Sequence, residues 1–233
     1  MDKLTENFTN TLLSFGADLC GFGDLSELSP ESRGHLPMGV CVAVFVPAGI
    51  IKGIAELPTY DYFDFYTRAN ELLDSIVIRG AEYLSAAGYT AIAQTRARAG
   101  SGEASLETLL PHKTVATRAG IGWIGKCALL VTEERGAMLR LSSILTDAPL
   151  ETADTPNDKS RCGSCSACRD ACPGGAVSGT LWEKAMPREA FFDAEKCRDT
   201  ARERSKRGFG GNATICGKCI EVCPYARRLF PAE

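Results

Sequence analysis

Leu4, Phe8, Leu12 and Phe15 recur at helical spacing and Gly16 ends the run, which predicts an amphipathic helix over residues 3–15. Residues 19–23, closing in glycine, predict a short strand, and residues 26–39, rich in turn formers, predict a surface loop. The run Val40-Cys-Val-Ala-Val-Phe-Val46 is continuous, apolar and largely β-branched up to Pro47, the pattern of a strand buried on both faces. A long helix is predicted over 59–87, where Phe63, Tyr66, Leu72, Leu73, Ile76, Ala81 and Leu84 recur every three to four positions and Gly88 supplies the stop. Its aromatic start, Tyr60, Tyr62, Phe63, Phe65 and Tyr66, supplies core rings or the floor for a flat cofactor.

Residues 89–94 predict another strand. The small, polar stretch 95–105, with Arg96 and Arg98, is a connector or an active-site loop. Pro111 opens a short helix over 111–119, and residues 128–131 and 138–144 predict a strand pair around the turn 133–136. The polar connector 151–160, with Pro156 and Asn157, sets a boundary. An α/β domain, a mixed sheet with flanking helices, is expected over 1–155, and a second domain over 156–233. Residues 187–207 are expected to be largely helical. Their basic face of Arg198, Arg202, Arg204, Lys206 and Arg207 is a solvated surface or a docking site for an acidic electron donor or an RNA phosphate.

Composition removes several classes. A chain of 233 residues buries one substantial core plus a small appended module. A net charge of −3 argues against a generally nucleic-acid-binding surface while leaving room for a local basic patch. The amino terminus has no apolar signal region, and the longest apolar run, 40–51, is interrupted by Pro47 and too short to cross a bilayer. The expectation is a cytoplasmic protein without a membrane partner. In a reducing compartment, eleven cysteines point to metal ligation rather than disulfides. Cys20 and Cys41 are read as small buried hydrophobes.

Eight of the other cysteines carry the chemistry. Cys162-Gly-Ser-Cys165-Ser-Ala-Cys168-Arg-Asp-Ala-Cys172-Pro173 has the C-x2-C-x2-C-x3-C-P spacing of bacterial ferredoxins, in which the fourth cysteine serves the other cluster. Cys197 stands alone, and Cys216-Gly-Lys-Cys219-Ile-Glu-Val-Cys223-Pro224 follows. A turn that places three thiolates around one cluster leaves no room for its own fourth ligand, which must come from afar. Two 4Fe-4S clusters are therefore expected, one on Cys162, Cys165, Cys168 and Cys223, the other on Cys172, Cys197, Cys216 and Cys219. Paired C-x2-C motifs also bind zinc, but zinc takes four cysteines per site and does not explain the C-x3-C-P endings.

Gly120-Ile-Gly122-Trp-Ile-Gly125-Lys126-Cys127 matches a dinucleotide fingerprint and most of a phosphate-binding loop on paper. Both mechanisms need a strand before the glycines and a helix after them. Here a helix precedes and a strand follows, and Cys127 stands where a magnesium-binding hydroxyl belongs, so both nucleotide readings are rejected. Three glycines around Trp123 make either a shelf beside a bulky planar ligand or a plain helix-to-strand corner.

The run Pro111-His-Lys-Thr-Val-Ala-Thr-Arg-Ala-Gly-Ile-Gly-Trp-Ile-Gly-Lys126, then Leu129-Leu-Val, Thr146-Asp147 and the two cysteine runs, resembles epoxyqueuosine reductase, a cobalamin-dependent iron–sulfur family related to reductive dehalogenases. The resemblance implies a mixed α/β cobalamin-binding domain followed by a bacterial-ferredoxin-like domain. It implies an oxidoreductase in which two 4Fe-4S clusters feed a base-off cobalamin that reduces an epoxide or modified nucleoside. By the same resemblance, Gly120, Gly122, Trp123, Gly125, Lys126 and Cys127 are candidates for holding the cobalamin, and Glu107, His112 and Lys113 for donating a proton. The register of the family's proton-donating aspartate falls at Leu106, next to Glu107, and its usual asparagine after Gly-Lys is replaced by Cys127. Expected partners are a reduced ferredoxin or flavodoxin-type donor and a tRNA or small-molecule substrate. The alternative is a non-catalytic electron-transfer or corrinoid-delivery protein.

Overall fold

The computed structural model describes residues 2–98 and 110–232. Helix α1 (Lys3–Ser14) begins where the Asp2 carboxylate accepts a hydrogen bond from the Thr5 amide at 2.8 Å, the ordinary N-cap contact. Gly16 ends it in a backbone conformation, φ +105°, that L side chains rarely adopt. Strands β1 (Leu19–Asp24) and β2 (Met38–Phe45) pair antiparallel, from Leu19 opposite Ala43 to Asp24 opposite Met38. The interior of β2 is buried at every position, as a continuous apolar run requires. The short helix α2 (Ala48–Gly53) follows Pro47 and is unforeseen, because one turn and a half carries no readable periodicity. Helix α3 (Tyr60–Ala86) and strand β3 (Ala91–Gln94) follow as expected, and α4 (His112–Arg118) starts directly after Pro111.

One expectation fails. Strand β5 (Leu130–Val131) pairs antiparallel with β4 (Trp123–Ile124), a two-residue strand too short to predict, and not with β6 (Leu139–Thr146). Gly122 allows it, since a Cβ there would collide with the carbonyl oxygen of Val131. Freed from that hairpin, β6 joins a four-stranded sheet of order β1-β2-β6-β3 and runs antiparallel to β3, with Ala91 opposite Thr146. Beyond it lie α5 (Ala167–Asp170), α6 (Ala194–Phe209), α7 (Lys218–Glu221) and α8 (Pro224–Arg227).

The chain forms two compact units that draw on separated stretches: 1–44, 69–121 and 140–157 in the first, 45–68, 122–139 and 158–233 in the second. The boundary expected at 155/156 lies just before the Asn157–Asp158 join, and segments 45–68 and 122–139 pack with the carboxy-terminal stretch. In the first unit Phe8 of α1 stacks on Tyr83 of α3, with ring centroids 5.4 Å apart. Gly80 brings α3 against the sheet: a Cβ there would come within 2.7 Å of Ile144 and 3.0 Å of Leu12. In the second unit Ile51, Ile54, Tyr62, Trp123, Met138, Ile215 and Ile220 form the core, against which Cys162, Cys219 and Cys223 pack. Phe63 stacks on Phe209, with centroids 5.0 Å apart, so this aromatic side chain serves packing. Among the described residues no helix is long and apolar enough to cross a membrane.

Candidate functional site

The cysteines sit on short turns of helix and the loops around them. Cys168 lies in α5, Cys197 in α6 and Cys219 in α7, while Pro173 and Pro224 follow Cys172 and Cys223. Gly217 opens α7 with φ +74°, which turns the chain sharply between Cys216 and Cys219. The thiols fall into two neighbourhoods. Cys223 has Cys162 and Cys168 as electrostatic neighbours, and burial together with them raises its pKa. Cys197 has Cys172 and Cys216, and burial followed by those thiols pushes it up to about 11.

The turn between β4 and β5 backs onto the first neighbourhood. Lys126, 6% exposed, donates from Nζ to the carbonyl oxygens of Gly163 at 2.9 Å and Cys165 at 2.8 Å. A Cβ on Gly125 would sit 2.7 Å from Val131 and 3.6 Å from Cys162 Sγ. Cys127 is buried, with its thiol in hydrogen-bond contact with Cys168 and Cys219. Trp123 is fully packed, edge-on to Tyr225 at 5.3 Å, and its indole N–H is buried without a hydrogen-bond partner among the described residues. Gly122 and Gly125 are thus used by close approach of the chain to itself. In the first unit, Gly120, at φ +69°, packs where a Cβ would come 3.0 Å from that of Ala153. The glycine run links α4 to β4.

A separate polar group lies in the first unit. His112, on the first turn of α4, has Nδ1 2.8 Å from the Ser143 hydroxyl of β6. Burial first, then the Arg140 guanidinium, pushes its pKa down to about 4 against the opposing pull of Asp74, so the ring is neutral at pH 7. Arg140 donates from Nε and Nη2 to the Asn70 carbonyl oxygen at 3.3 and 3.1 Å. The Asn70 amide N–H is buried and has no partner among the described residues, and such a group costs about 1–3 kcal/mol unless something accepts from it. Sequence reasoning passed over Asn70. The available signal was an amide on the same face of α3 as the buried Leu73 and Val77. Lys113 follows His112 in α4, and Glu107 lies outside the described residues.

Residues 161–226 match the 4Fe-4S double cluster binding domain, so the carboxy-terminal segment binds iron–sulfur clusters. A curated epoxyqueuosine reductase of Synechococcus sp. (strain CC9605) is 39% identical over 124 residues, which are 53% of this chain and 38% of that protein. The chain spans less than two fifths of the curated relative it matches. Among solved structures, a reductive dehalogenase whose structure suggests a mechanism for B12-dependent dehalogenation superposes with a TM-score of 0.72 at 19% identity, over 94% of this chain and 31% of that one. An epoxyqueuosine reductase with a tRNA-Tyr epoxyqueuosine-modified stem loop superposes with a TM-score of 0.61 at 22% identity, over 97% of this chain and 66% of that one. The chain is similar to both kinds of enzyme in fold, and to the epoxyqueuosine reductases also in sequence.

Proposed function

We propose that this chain is a cobalamin-dependent iron–sulfur reductase of the epoxyqueuosine reductase type. One observation carries the reading: the structural likeness to a B12-dependent dehalogenase and an epoxyqueuosine reductase runs over 94% and 97% of the chain, well beyond the ferredoxin-like segment. A ferredoxin fused to an unrelated domain would share only that segment. Electrons enter from a reduced ferredoxin or flavodoxin-type protein in the cytoplasm and pass along two clusters, on Cys162, Cys165, Cys168 and Cys223 and on Cys172, Cys197, Cys216 and Cys219. A corrinoid supplies the low-potential, nucleophilic metal that no side chain offers. The substrate is an epoxide or modified nucleoside, in tRNA or as a small molecule.

The chain's own residues divide the remaining work. The unpartnered amide N–H of Asn70 fits a ligand rich in carbonyl acceptors, as the amide-bearing rim of a corrinoid is. Arg140 fixes that amide by occupying its oxygen, which leaves the nitrogen aimed at a second acceptor. His112, neutral and tied to Ser143, holds position rather than carrying a spare proton at pH 7. The proton donor is then Glu107 or Lys113, both near α4 in sequence.

Anaerobic titration of the cluster-reconstituted protein with hydroxocobalamin, followed by absorbance and by EPR after reduction, tests the reading. Saturable uptake with a base-off cobalt signal beside two reduced clusters is the expected result. Two clusters without corrinoid uptake would overturn it in favour of an electron carrier.

A further inference from the structure

Three consecutive residues of the β4–β5 turn each meet a different part of one cysteine run. The α-carbon of Gly125 faces Cys162 Sγ, the ammonium of Lys126 holds the carbonyls of Gly163 and Cys165, and the thiol of Cys127 meets Cys168, as well as Cys219 of the second run. None of these contacts follows from the cluster motif itself, which lies more than thirty residues further along the chain; the Lys126–Gly163 separation is 37 positions. At Gly122 and Gly125 the space a Cβ would take is filled by Val131.

We propose that Lys126 sets the reduction potential of the cluster held by Cys162, Cys165, Cys168 and Cys223. The proposal rests on that ligand assignment and on the double-cluster domain, and not on cobalamin or any substrate. The physical argument is charge. Reduction adds one electron to the cluster and makes it more negative, and a positive charge fixed nearby stabilises the reduced form. Lys126 is 6% exposed, so water screens this charge far less than it would a surface lysine. Its two carbonyl bonds fix the ammonium to the ligand loop itself. The charge therefore favours acceptance of an electron by this cluster over the one on Cys172, Cys197, Cys216 and Cys219, whose residues accept no hydrogen bond from Lys126 among the described residues.

The test is an EPR-monitored redox titration of reconstituted wild-type protein and of Lys126→Met, Lys126→Gln and Lys126→Arg, each with its iron and sulfide measured. The methionine keeps the stem and removes charge and donors, the glutamine keeps a donor without the charge, and the arginine keeps the charge. The expected result is that one of the two midpoint potentials falls in the methionine and glutamine variants by at least a tenfold loss in reducibility, about 59 mV for one electron. The other potential stays put, and the arginine variant keeps both. Unchanged potentials in a methionine variant with both clusters intact would overturn the proposal. So would an equal fall in the arginine variant, or loss of the cluster in both uncharged variants, because the lysine would then be a loop clamp. Failure of the wild-type protein to assemble two clusters would instead overturn the double-cluster reading on which the proposal stands.

Discussion

His112 Nδ1 lies 2.8 Å from Ser143 Oγ, which ties the first turn of α4 to the middle of β6 through a ring that burial keeps neutral. The bond joins two segments that sequence separates by 31 positions, and it fixes the one histidine near the polar group of the first unit.

That contact makes stability depend on pH. The folded-state pKa of His112 is about 4, below the ordinary 6.5, so the unfolded chain binds the extra proton first as pH falls. Stability is therefore unaffected above pH 6.5, declines between about 6.5 and 4, and loses on the order of 2–3 kcal/mol across that window. His112→Gln keeps a polar partner for Ser143 without the titration. The difference in thermal midpoint between the two proteins should narrow as pH drops from 7 to 5. A constant difference would show that His112 does not titrate in this window.

Gly23 and Gly49 should respond oppositely to alanine. A Cβ on Gly23 would come within 2.6 Å of the Arg118 carbonyl carbon and 2.7 Å of the Ala119 nitrogen, backbone atoms that cannot turn aside. Gly23→Ala is expected to destabilise by about 1–3 kcal/mol. Gly49, in α2, has nothing within 4 Å, so Gly49→Ala should be neutral or stabilise by up to about 1 kcal/mol. Chemical denaturation of both variants measures this. Equal effects would mean that β1 and α4 can slide apart freely.

Cys127, buried, and Cys197, half-buried, both lie near cluster ligands, but only Cys197 is assigned as one. Cys197→Ala should cost one of the two clusters, visible as a halved iron and sulfide content. Cys127→Ala should keep both, even though its thiol meets Cys168 and Cys219. Loss of iron in the Cys127 variant would place it in the ligand set.

Much of the fold was legible. The helices α1 and α3 and the buried strand β2 announce themselves because each repeats one period for long enough to be read: Leu4 to Phe15, Phe63 to Leu84, Val40 to Val46. Partner choice was less legible. Residues 128–131 and 138–144 looked like the two arms of a hairpin, yet β5 turned to Trp123–Ile124, because the deciding feature was the missing Cβ of Gly122 against Val131. A two-residue strand carries no alternation. At the site, the cysteine runs could be read because five short spacings and two prolines encode local turns. The bond from Lys126 to Gly163 and Cys165 could not, since nothing in a lysine next to a glycine says which carbonyl it will reach. Asn70 lay between the two cases: its place on a buried helical face was visible, but its unpaired N–H was not.

The sheet order also says something about how the protein is made. Strand β3 ends at Gln94, and its only neighbour in the sheet among the described residues, β6, ends at Thr146. The 52 positions from 95 through 146 take roughly 3–10 s to synthesise at about 5–20 residues per second. Throughout that interval β2 and β3 have emerged while the strand that belongs between them has not. The β1–β2 hairpin can form early, but the sheet waits, with the open flank of β2 exposed as a template for wrong pairings. Variants that weaken β6 should therefore reduce the yield of newly made protein more than their effect on the finished fold would predict, a cost incurred on the ribosome.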